Sequence, residues 1–355
     1  MTTIYLIRHA EAEGNLYRII QGQRDVQLTE TGKLQAEALG ERFRDIPVDA
    51  VYSSDLYRAA ATAAAICRRQ NLPLHRMTAL REICMGSWEG RALGDIHREH
   101  DAAGLNVYEK RKLRGGEVPE EVRDRMLEAL QTIATAHDGE TVAVVSHGAA
   151  IRYVAAHVWG IEETKVATGQ NTAVSVLEAE NGQLRMVSYD DASHLDLWME
   201  KFLGRPYHPR ENGVEPGMWY RTPEGEERAA WLRAALALAE REECPVFGES
   251  DVLLGIREEK PAGILALDPE RDAEQGIGWV SVLWVKPELR CRTCGIQLLG
   301  QAVFRYREMG RTHLRLSAPS ETARTFLEHN GFRCVAETDG GCVMEKEILL
   351  RPLEV

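Results

Sequence analysis

The sequence predicts an α/β protein of two domains, and three observations carry this prediction. Short apolar runs alternate with helical patterns from Thr3 to Trp159, which is typical of a mostly parallel sheet covered by helices. Residues 204–225 are rich in proline and glycine and show no apolar period, as expected for a linker. The 355 residues exceed one ordinary domain. We therefore expect a first domain at 1–203, a linker at 204–225 and a second domain at 226–355.

The elements of the first domain follow from apolar runs and capping residues. A buried strand is predicted at Thr3–Ile7, because this run of mostly β-branched or aromatic residues shows no alternation. Thr29 is a candidate N-cap for a helix that continues to Phe43. Residues 53–55 form a cap cluster before another helix, and Glu180-Asn181-Gly182 indicates a hairpin. The other predicted elements are strands at 50–53, 141–146, 173–178 and 184–189, and helices at 56–69 and 148–159.

The second domain also alternates strands with helices. Its first helix carries a stripe of leucine and alanine at 229–238, which is typical of a helix that faces a core. Predicted strands lie at 252–256, 263–267, 276–285, 313–317 and 343–348, and predicted helices at 226–243, 295–309 and 321–330.

Composition excludes several classes of protein. Hydrophobic residues at 44% and charged residues at 28% describe a globular protein with real cores. The net charge of −12 argues against a general nucleic-acid binder. No apolar run approaches the ~18 residues of a membrane span, and the start of the chain lacks a secretory signal. Seven cysteines without framework spacing indicate a reducing compartment. We predict a cytoplasmic protein that binds neither nucleic acid nor membranes.

Two histidines occupy equivalent positions at the ends of predicted buried strands. His9 follows the first strand, and His147 follows the strand at 141–146. Because ligands bind beyond the carboxyl ends of parallel strands, we expect the two imidazoles to meet in one crevice if their strands are neighbours. Arg8 and Arg58 can reach the same place, where helix amino termini also favour an anion. A metal ion is disfavoured, because carboxylates do not cluster around these histidines and the arginines would repel a cation.

These residues belong to a series of motifs along roughly the first 200 residues. The series comprises Arg8-His9-Ala10-Glu11 with Asn15, Gln21-Gly22, Asp25, Leu28-Thr29, Ser53-Ser54-Asp55-Leu56 with Arg58, Leu80-Arg81-Glu82, Gly86-Ser87-Trp88-Glu89-Gly90, Gly115-Gly116-Glu117, and Val145-Ser146-His147-Gly148 with Arg152. Taken together, the series resembles the histidine phosphatase superfamily in its phosphoglycerate-mutase-like branch. This resemblance implies a three-layer α/β/α domain with a mostly parallel sheet.

The resemblance also implies a role for each residue of the site. His9 attacks phosphorus and carries the phosphoryl group as phosphohistidine. Arg8, Arg58 and His147 clamp the equatorial oxygens. Glu82 protonates the leaving alkoxide and then activates water. The implied substrate-binding residues are Asn15, Gln21 and Gly22. Such a reaction uses no metal and no other cofactor.

The spacing of the motifs favours one activity within this family. Gly148, and not aspartate, follows His147, which argues against the acid-phosphatase branch. Only 24 residues separate Gly90 from Gly115, where true mutases tend to carry a longer insertion. Hydrolysis of a small phosphomonoester is therefore predicted, with mutase-type phosphoryl transfer as the alternative. The basic run 110–114 either extends anion recognition or is a solvated face.

A second group of motifs lies in the C-terminal part. The strand Trp279–Val285 leads through Lys286-Pro287 and a basic turn to Gly295, where a helix begins. A strand, a basic turn, a glycine and a helix amino terminus suit a pyrophosphate. Together with the strand 314–317 and the tail 323–332, this order resembles the coenzyme A-binding motif of GNAT N-acetyltransferases. The resemblance implies an α+β domain with a mixed sheet that binds acetyl-CoA or coenzyme A.

The same resemblance assigns the residues that would hold this cofactor. Leu283 and Val285 would pair with the pantetheine arm. Backbone groups of the following loop and helix would hold the pyrophosphate, namely those of Arg290, Arg292, Thr293, Cys294, Gly295 and Ile296. Leu327 stands where many members have the tyrosine that protonates the thiolate, and Ser320 where an asparagine is frequent. Transfer of acetyl to an amine acceptor therefore stays open.

Two further interpretations compete with these. Cys291, Cys294, Cys334 and Cys342 can be read as a zinc site, but the second pair has seven intervening residues and the first lies within the phosphate loop. Alternatively, the first domain binds phosphate as a regulatory module without turnover, and acetyl transfer is the main activity.

Overall fold

The computed structural model describes residues 1–101, 111–112, 114–204, 207, 217–237, 248, 251–290 and 293–352. Its first sheet has six strands in the order β3-β2-β4-β1-β5-β6. The first four of these strands run parallel, and the last two are antiparallel additions. The strands are β1 (Thr2–Arg8), β2 (Ala50–Ser54), β3 (Leu74–Met77), β4 (Thr141–Ser146), β5 (Val174–Glu180) and β6 (Gln183–Asp191).

Helices cover both faces of this sheet. They are α1 (Glu13–Tyr17), α2 (Glu30–Arg42), α3 (Tyr57–Gln70), α4 (Leu93–Asp101), α5 (Pro119–Ala136), α6 (Gly148–Trp159) and α7 (Ser193–Leu203). Leu39 of α2 and Ile66 of α3 pack with Ile7 on one face. On the other face, residues of α5 and α6, among them Met126 and Val154, pack with Ile4 and Leu6. This part of the chain is therefore an α/β domain with the helices in two outer layers.

The predicted capping of two helices has different outcomes. Thr29 is the N-cap of α2, and its side chain accepts the Gly32 N–H at 2.9 Å, as predicted. The N-cap of α3 is Leu56, whose own side chain makes no cap bond. The cluster predicted at 53–55 contributes one contact to this helix start, because the Leu56 N–H donates to Ser54 Oγ at 3.3 Å. The Tyr57 N–H instead donates to Asp25 Oδ1 at 2.8 Å, so a carboxylate from a distant loop stabilises this helix start.

The second sheet has seven strands in the order β12-β13-β11-β10-β9-β8-β7. Its strands are β7 (Trp219–Arg221), β8 (Val252–Arg257), β9 (Lys260–Asp268), β10 (Ile277–Val285), β11 (His313–Ala318), β12 (Arg333–Thr338) and β13 (Gly341–Glu347). The helices that accompany it are α8 (Gly225–Ala237), α9 (Cys294–Glu308) and α10 (Glu321–Glu328). Only β10 and β11 pair in parallel, so the sheet is mixed.

The parallel pair in the centre of this sheet separates part of the way along. β10 pairs with β11 only over Ile277–Val280, opposite 313–316. The register of β10 against β9 shifts between Val280 and Val282, which is a β-bulge. Beyond the bulge, residues 282–285 remain paired with β9 alone. The edge of β10 that faces β11 therefore presents free backbone groups near the start of α9.

The linker prediction is wrong at its C-terminal end. Residues 219–221 form β7, which pairs with β8, and Met218 is only 1% exposed. The second sheet therefore begins inside the stretch predicted as linker. Residues 205–206 and 208–216 lie outside the described residues, as does the predicted continuation of α8 beyond Ala237. In the described part of the chain, no helix is long and apolar enough to cross a membrane.

The two domains share one apolar core. Helix α9 lies between the second sheet and α1 of the first domain. Tyr17 of α1 is 1% exposed, and its ring meets Phe304 of α9 edge-on at 6.5 Å between centroids. A Cβ atom at Gly300 would lie 2.4 Å from Cβ of Tyr17, so glycine is required for this close approach. The domains therefore pack as closely as elements within one domain.

Candidate active site

His9 lies directly after β1 and is held in one tautomer by the neighbouring backbone. Its side chain is buried, and Nδ1 lies 2.7 Å from the Ala10 carbonyl oxygen. Because a carbonyl only accepts, Nδ1 carries the proton and Nε2 keeps the lone pair. Burial lowers the pKa of His9 well below its usual value, and the charges of Arg58 and Arg8 lower it further. The imidazole is therefore neutral at physiological pH and has a nucleophilic nitrogen.

The backbone around His9 is tied to three neighbouring segments. The His9 N–H donates to the Ser146 carbonyl at 2.9 Å, and Asn171 Nδ2 donates to the His9 carbonyl at 2.9 Å. The Ala10 N–H donates to Thr62 Oγ1 at 2.9 Å. Sequence reasoning did not assign a role to Asn171, which precedes a threonine in the left-handed backbone region. These contacts fix the end of β1 against β4 and α3.

His147 lies beside His9, as the parallel strands β1 and β4 require. The two ring centroids are 5.1 Å apart with an interplanar angle of 58°. His147 is the N-cap residue of α6 and is fully buried. Burial and the charges of Arg58 and His9 hold its pKa well below the usual value. Neither ring nitrogen has a hydrogen-bond partner among the described residues, so both are available to a ligand.

Arg8 and Arg58 bring two buried guanidinium groups to the same crevice. Nη1 and Nη2 of Arg58 donate to the carbonyls of Arg24 at 3.1 Å and Gly22 at 2.7 Å. Arg8 Nη1 donates to the Gly169 carbonyl. The Nε atom of each arginine is buried and has no partner in the described part of the chain. Burial lowers the pKa of Arg58 to about 10, and burial also lowers that of Arg8.

The strongest opposing charge at these two cations belongs to one carboxylate that acts on both. Burial lowers the pKa of Arg8 and of Arg58, and in both cases the charge of Glu82 is the largest influence that raises it. The unpartnered Nε–H groups of Arg8 and Arg58 and one N–H of the neutral His147 imidazole form a set of donors suited to an oxyanion. The crevice can therefore accommodate a phosphoryl group.

Glu82 lies at the amino terminus of α6. Its Oε2 accepts the Ala149 N–H at 3.1 Å, and its Oε1 accepts the N–H groups of Ala150 at 3.1 Å and Ile83 at 2.9 Å. The carboxyl group is thus bound to the two backbone N–H groups that directly follow His147–Gly148 in the chain. A glycine is required at 148, because a Cβ there would lie 2.8 Å from Thr168 Cγ2 and 3.2 Å from Arg8 Nε.

The three residues expected to bind the rest of the substrate lie at α1 and in the loop after it. Asn15 Oδ1 accepts the Ala12 N–H at 3.0 Å, so part of its amide caps α1. Gln21 Oε1 is buried without a partner among the described residues. Gly22 has a φ of +52°, and its carbonyl oxygen accepts from Arg58. The sequence indicated a role only for the Gly22 amide, but the Gly22 carbonyl also positions Arg58.

One structural residue of this region was missed in the sequence. Arg125 of α5 donates to the carbonyls of Ala79 at 2.8 Å, Arg81 at 2.7 Å and Glu82 at 3.0 Å. It also forms an ion pair of 2.9 Å with Glu117. Arg125 therefore holds the loop that carries Glu82. The motif Gly115-Gly116-Glu117 pointed to this place, but nothing in the sequence linked it to an arginine in the following helix.

The basic run 110–114 divides among different environments. Lys112 pairs with Glu121 on the surface, and Arg114 pairs with Glu99 at 3.4 Å. Arg111 is buried, whereas residues 110 and 113 lie outside the described residues. Lys112 and Arg114 thus belong to a solvated face, which is the second of the two interpretations of this run.

The residues expected to bind a cofactor in the second domain surround the amino terminus of α9. Leu283 and Val285 lie on the part of β10 that has separated from β11. Thr293 is the N-cap of α9 with a φ of +62°, and Cys294, Gly295 and Ile296 form its first turn. Arg290 Nε donates to the Val285 carbonyl at 3.2 Å. Arg292 lies outside the described residues.

The described cysteines do not form the four-cysteine zinc site. Ligand atoms of Cys334, Glu337 and Cys342 lie within 4.8 Å of one another, but Cys294 is not among them. Arg324 Nη1 lies 3.3 Å from Glu337 Oε1, and its charge opposes a cation there. Cys291 lies outside the described residues.

Comparison with known proteins shows which family has a similar sequence. Residues 4–192 match the histidine phosphatase superfamily (branch 1). The chain is 31% identical over 199 residues to the uncharacterized phosphatase PhoE of Bacillus subtilis, covering 55% of this chain and 97% of that protein. It is 30% identical over 207 residues to the probable phosphoglycerate mutase GpmB of Salmonella choleraesuis, covering 55% and 96%.

Solved structures show the same correspondence. YhfR of Bacillus stearothermophilus is 31% identical with a TM-score of 0.52, and the match covers 55% of this chain and all of that one. A phosphoglycerate mutase from Bacillus anthracis is 26% identical with a TM-score of 0.50, covering 55% and 95%. Because these matches take in almost the whole of each relative, the second domain is an addition to the part that they share.

Proposed function

The chain belongs to the histidine phosphatase superfamily, and we propose that its first domain hydrolyses a small phosphomonoester through a phosphohistidine at His9. The observation that carries this proposal is the tautomer of His9. With Nδ1 bound to the Ala10 carbonyl and the pKa held low, Nε2 offers a lone pair in a crevice that also holds two buried guanidinium groups.

The proposed reaction has two steps. The lone pair of His9 Nε2 forms a nitrogen–phosphorus bond while the ester oxygen–phosphorus bond breaks, and protonated Glu82 gives its proton to the departing alkoxide. Water then attacks phosphorus, Glu82 takes its proton, and the nitrogen–phosphorus bond breaks to release inorganic phosphate. Arg8, Arg58 and His147 would stabilise the charge on the equatorial oxygens through both steps.

Hydrolysis is preferred to mutase chemistry because the segment between Gly90 and Gly115 is short. Relatives of this domain include a protein named as a phosphatase and others named as phosphoglycerate mutases. Only 24 residues separate Gly90 from Gly115 in this chain, and a short segment leaves less protein to retain a phosphorylated intermediate against water. Mutase-type transfer between positions of a phosphoglycerate remains the alternative.

A labelling experiment tests the proposal. The full chain is mixed with a panel of radiolabelled phosphomonoesters that includes 3-phosphoglycerate, then quenched in base, since phosphohistidine is acid-labile. Label on the wild type but not on His9→Ala, together with free phosphate, is the expected result. Movement of label to another position of phosphoglycerate without free phosphate would favour the mutase. Phosphate binding without label or turnover would favour the regulatory module.

We infer a second function, coenzyme A binding, for the second domain. The proposal is supported by the mixed sheet, the β-bulge at Val280/Val282 and the separation of β10 from β11 next to the amino terminus of α9. Backbone groups of 281–284 on the edge of β10 that has no strand partner in the described part of the chain can pair with the pantetheine arm, and the N–H groups of the first turn of α9 suit the pyrophosphate. These features fit a GNAT-like domain.

Acetyl transfer itself has weaker support in this domain. Leu327 is 2% exposed and carries no proton donor, so a departing thiolate would need another acid. We therefore propose cofactor binding and leave acetyl transfer as the open alternative.

Calorimetric titration of the full chain with acetyl-CoA and with coenzyme A tests the second proposal. Gly295→Asp places a carboxylate in the first turn of α9, where a Cβ has room because its nearest neighbour is 3.6 Å away. We expect this variant to weaken binding by charge repulsion, and the control Gly295→Ala to retain it. Equal affinities for both variants, or no binding by the wild type, would contradict the proposal.

A further inference from the structure

A buried ion pair joins the two domains. Nη1 and Nη2 of Arg307, on α9, donate to the two carboxylate oxygens of Glu13, on α1, at 2.7 and 2.8 Å. The two side chains are 8% and 3% exposed. A bidentate pair of this kind fixes the relative orientation of both groups and is sensitive to loss of either partner.

Glu13 connects this pair to the segment that carries the substrate-binding residues. It begins α1, four residues after His9 and two before Asn15. Its N–H donates to the Gln27 carbonyl at 3.0 Å, and its Oε2 accepts the Gln27 N–H at 3.2 Å. Glu13 therefore ties the C-terminal end of the loop 18–27, which contains Gln21 and Gly22, to the start of α1.

A second contact between the domains reaches an arginine of the site. Arg24 Nη1 pairs with Glu308 of α9 at 3.1 Å, and the Arg24 guanidinium lies 5.3 Å from the ring centroid of Phe304. The carbonyl of the same Arg24 accepts from Arg58. Helix α9 thus touches the loop that supports Arg58 on one side and α1 on the other.

Other contacts hold α1 and the end of the loop 18–27 against the second domain. Lys346 Nζ, on β13, donates to the Tyr17 hydroxyl at 3.3 Å. Gln27 Nε2 donates to the Arg351 carbonyl at 3.2 Å. Together with the close approach of Gly300 to Tyr17, these contacts leave α1 with little freedom to move independently of α9.

From these contacts we propose that the second domain forms part of the phosphatase site, with Arg307 as a positioning residue that acts through Glu13. Arg307 sets the position of α1 and of the loop 18–27, and so the places of Asn15, Gln21 and Gly22 around the ester. This inference rests on the proposed function of the first domain. It also gives a physical reason for the fusion, because the added domain replaces solvent at the helix that follows His9.

The test compares full-length variants that differ at this pair and at a matched one. Arg307→Gln breaks the pair, Arg307→Lys keeps the charge without the bidentate geometry, and Glu13→Gln with Arg307→Gln removes both charges. The control is Arg315→Gln, which breaks the 2.7 Å pair with Glu345 inside the second domain. For each protein, kcat and KM for p-nitrophenyl phosphate, the Kd for inorganic phosphate and the Tm are measured.

We expect Arg307→Gln to lower kcat/KM on the order of 10- to 100-fold, because small displacements in a site have effects of this size. Arg307→Lys should recover part of the loss. The double variant should recover Tm, since no charge is buried alone, but not kcat/KM. Arg315→Gln should lower Tm while leaving kcat/KM within about twofold of the wild type.

Two outcomes would overturn the inference. One is an unchanged kcat/KM in folded Arg307→Gln. The other, which applies even when the single variant does not fold, is wild-type kcat/KM in the double variant. Failure of the proposed function gives a different result, namely a wild type without turnover or phosphohistidine. In that case the Kd for inorganic phosphate still tests whether Arg307 positions α1 and the loop 18–27. If it does, Arg307→Gln should bind phosphate more weakly than Arg315→Gln.

Discussion

The imidazole of His147 lies 5.1 Å from that of His9, between ring centroids, yet the two rings are held in different ways. His9 has its Nδ1 bound to a backbone carbonyl, whereas both nitrogens of His147 lack a partner among the described residues. One ring is therefore fixed as a nucleophile, and the other can donate to an oxyanion. This difference predicts that their substitutions have different consequences.

His9→Ala should abolish both turnover and phosphohistidine, because it removes the imidazole whose Nε2 lone pair is held ready by the bond of Nδ1 to the Ala10 carbonyl. His147→Ala should still form the phosphohistidine but lower kcat by about 10²–10³-fold, the usual effect of losing one oxyanion donor. Rapid-quench kinetics of the first turnover separate these outcomes. His157→Ala, at an exposed position of α6, is the control and should match the wild type.

Glu82→Gln should discriminate between substrates by their leaving groups. An alkyl phosphate needs protonation of its alkoxide, so its turnover should fall by about 10²–10⁴-fold. p-Nitrophenolate leaves without a proton, and the rate of its phosphorylation step should fall far less. The amide of glutamine cannot transfer the proton. Glu120→Gln, at an exposed position, is the control for the loss of a negative charge. Equal losses for both esters would show that Glu82 is not the acid.

Most strands were predictable because they are buried, and the three missed strands share one property. β3, β7 and β12 each lie at an edge of a sheet. Their residues are mainly half-buried or exposed, so they lack the apolar runs that reveal central strands. β6 is also an edge strand, but the turn at Asn181-Gly182 indicated it.

Helix α5 was missed despite Pro119 and two acidic residues in its first turn, which are signals of a helix start.

The site was predictable where its residues follow strands, and unpredictable where distant segments meet. The positions of His9 and His147 follow from parallel pairing of β1 and β4. Glu13 and Arg307 are separated by 294 residues, and no local pattern relates a glutamate on a five-residue helix to an arginine near the end of another. The contact of the domains, and the support that Arg125 gives to Glu82, required the three-dimensional structure.

Gly300→Ala should destabilise the protein through the interface between the domains. The new Cβ would lie 2.4 Å from Cβ of Tyr17, so α1 or α9 must shift, at a cost of about 1–3 kcal/mol in the free energy of unfolding. Gly295→Ala, on the same helix and with 3.6 Å of room, is the matched control and should not destabilise. Urea unfolding of the full chain measures both; equal midpoints would argue against close packing of α9 on α1.

The stability of the protein should fall as the pH decreases from 6.5, because of three buried histidines. Burial is the largest cause that lowers the pKa of each of His9, His147 and His194, and the pKa of His194 falls to about 3. Below pH 6.5 the unfolded chain binds protons at these positions and the folded protein does not. Stability is therefore present above this pH and is lost progressively down to the folded pKa.

One pH unit below 6.5, His194 alone should reduce the free energy of unfolding by about 1.4 kcal/mol relative to neutral pH, and His9 and His147 should lower it further in the same direction. Urea unfolding at pH 7.5, 6.5 and 5.5 measures this slope. His194→Gln, which removes one of these titrating groups without removing a proposed catalytic residue, should reduce the slope by up to one proton. A slope in His194→Gln identical to that of the wild type would contradict a buried neutral imidazole at that position.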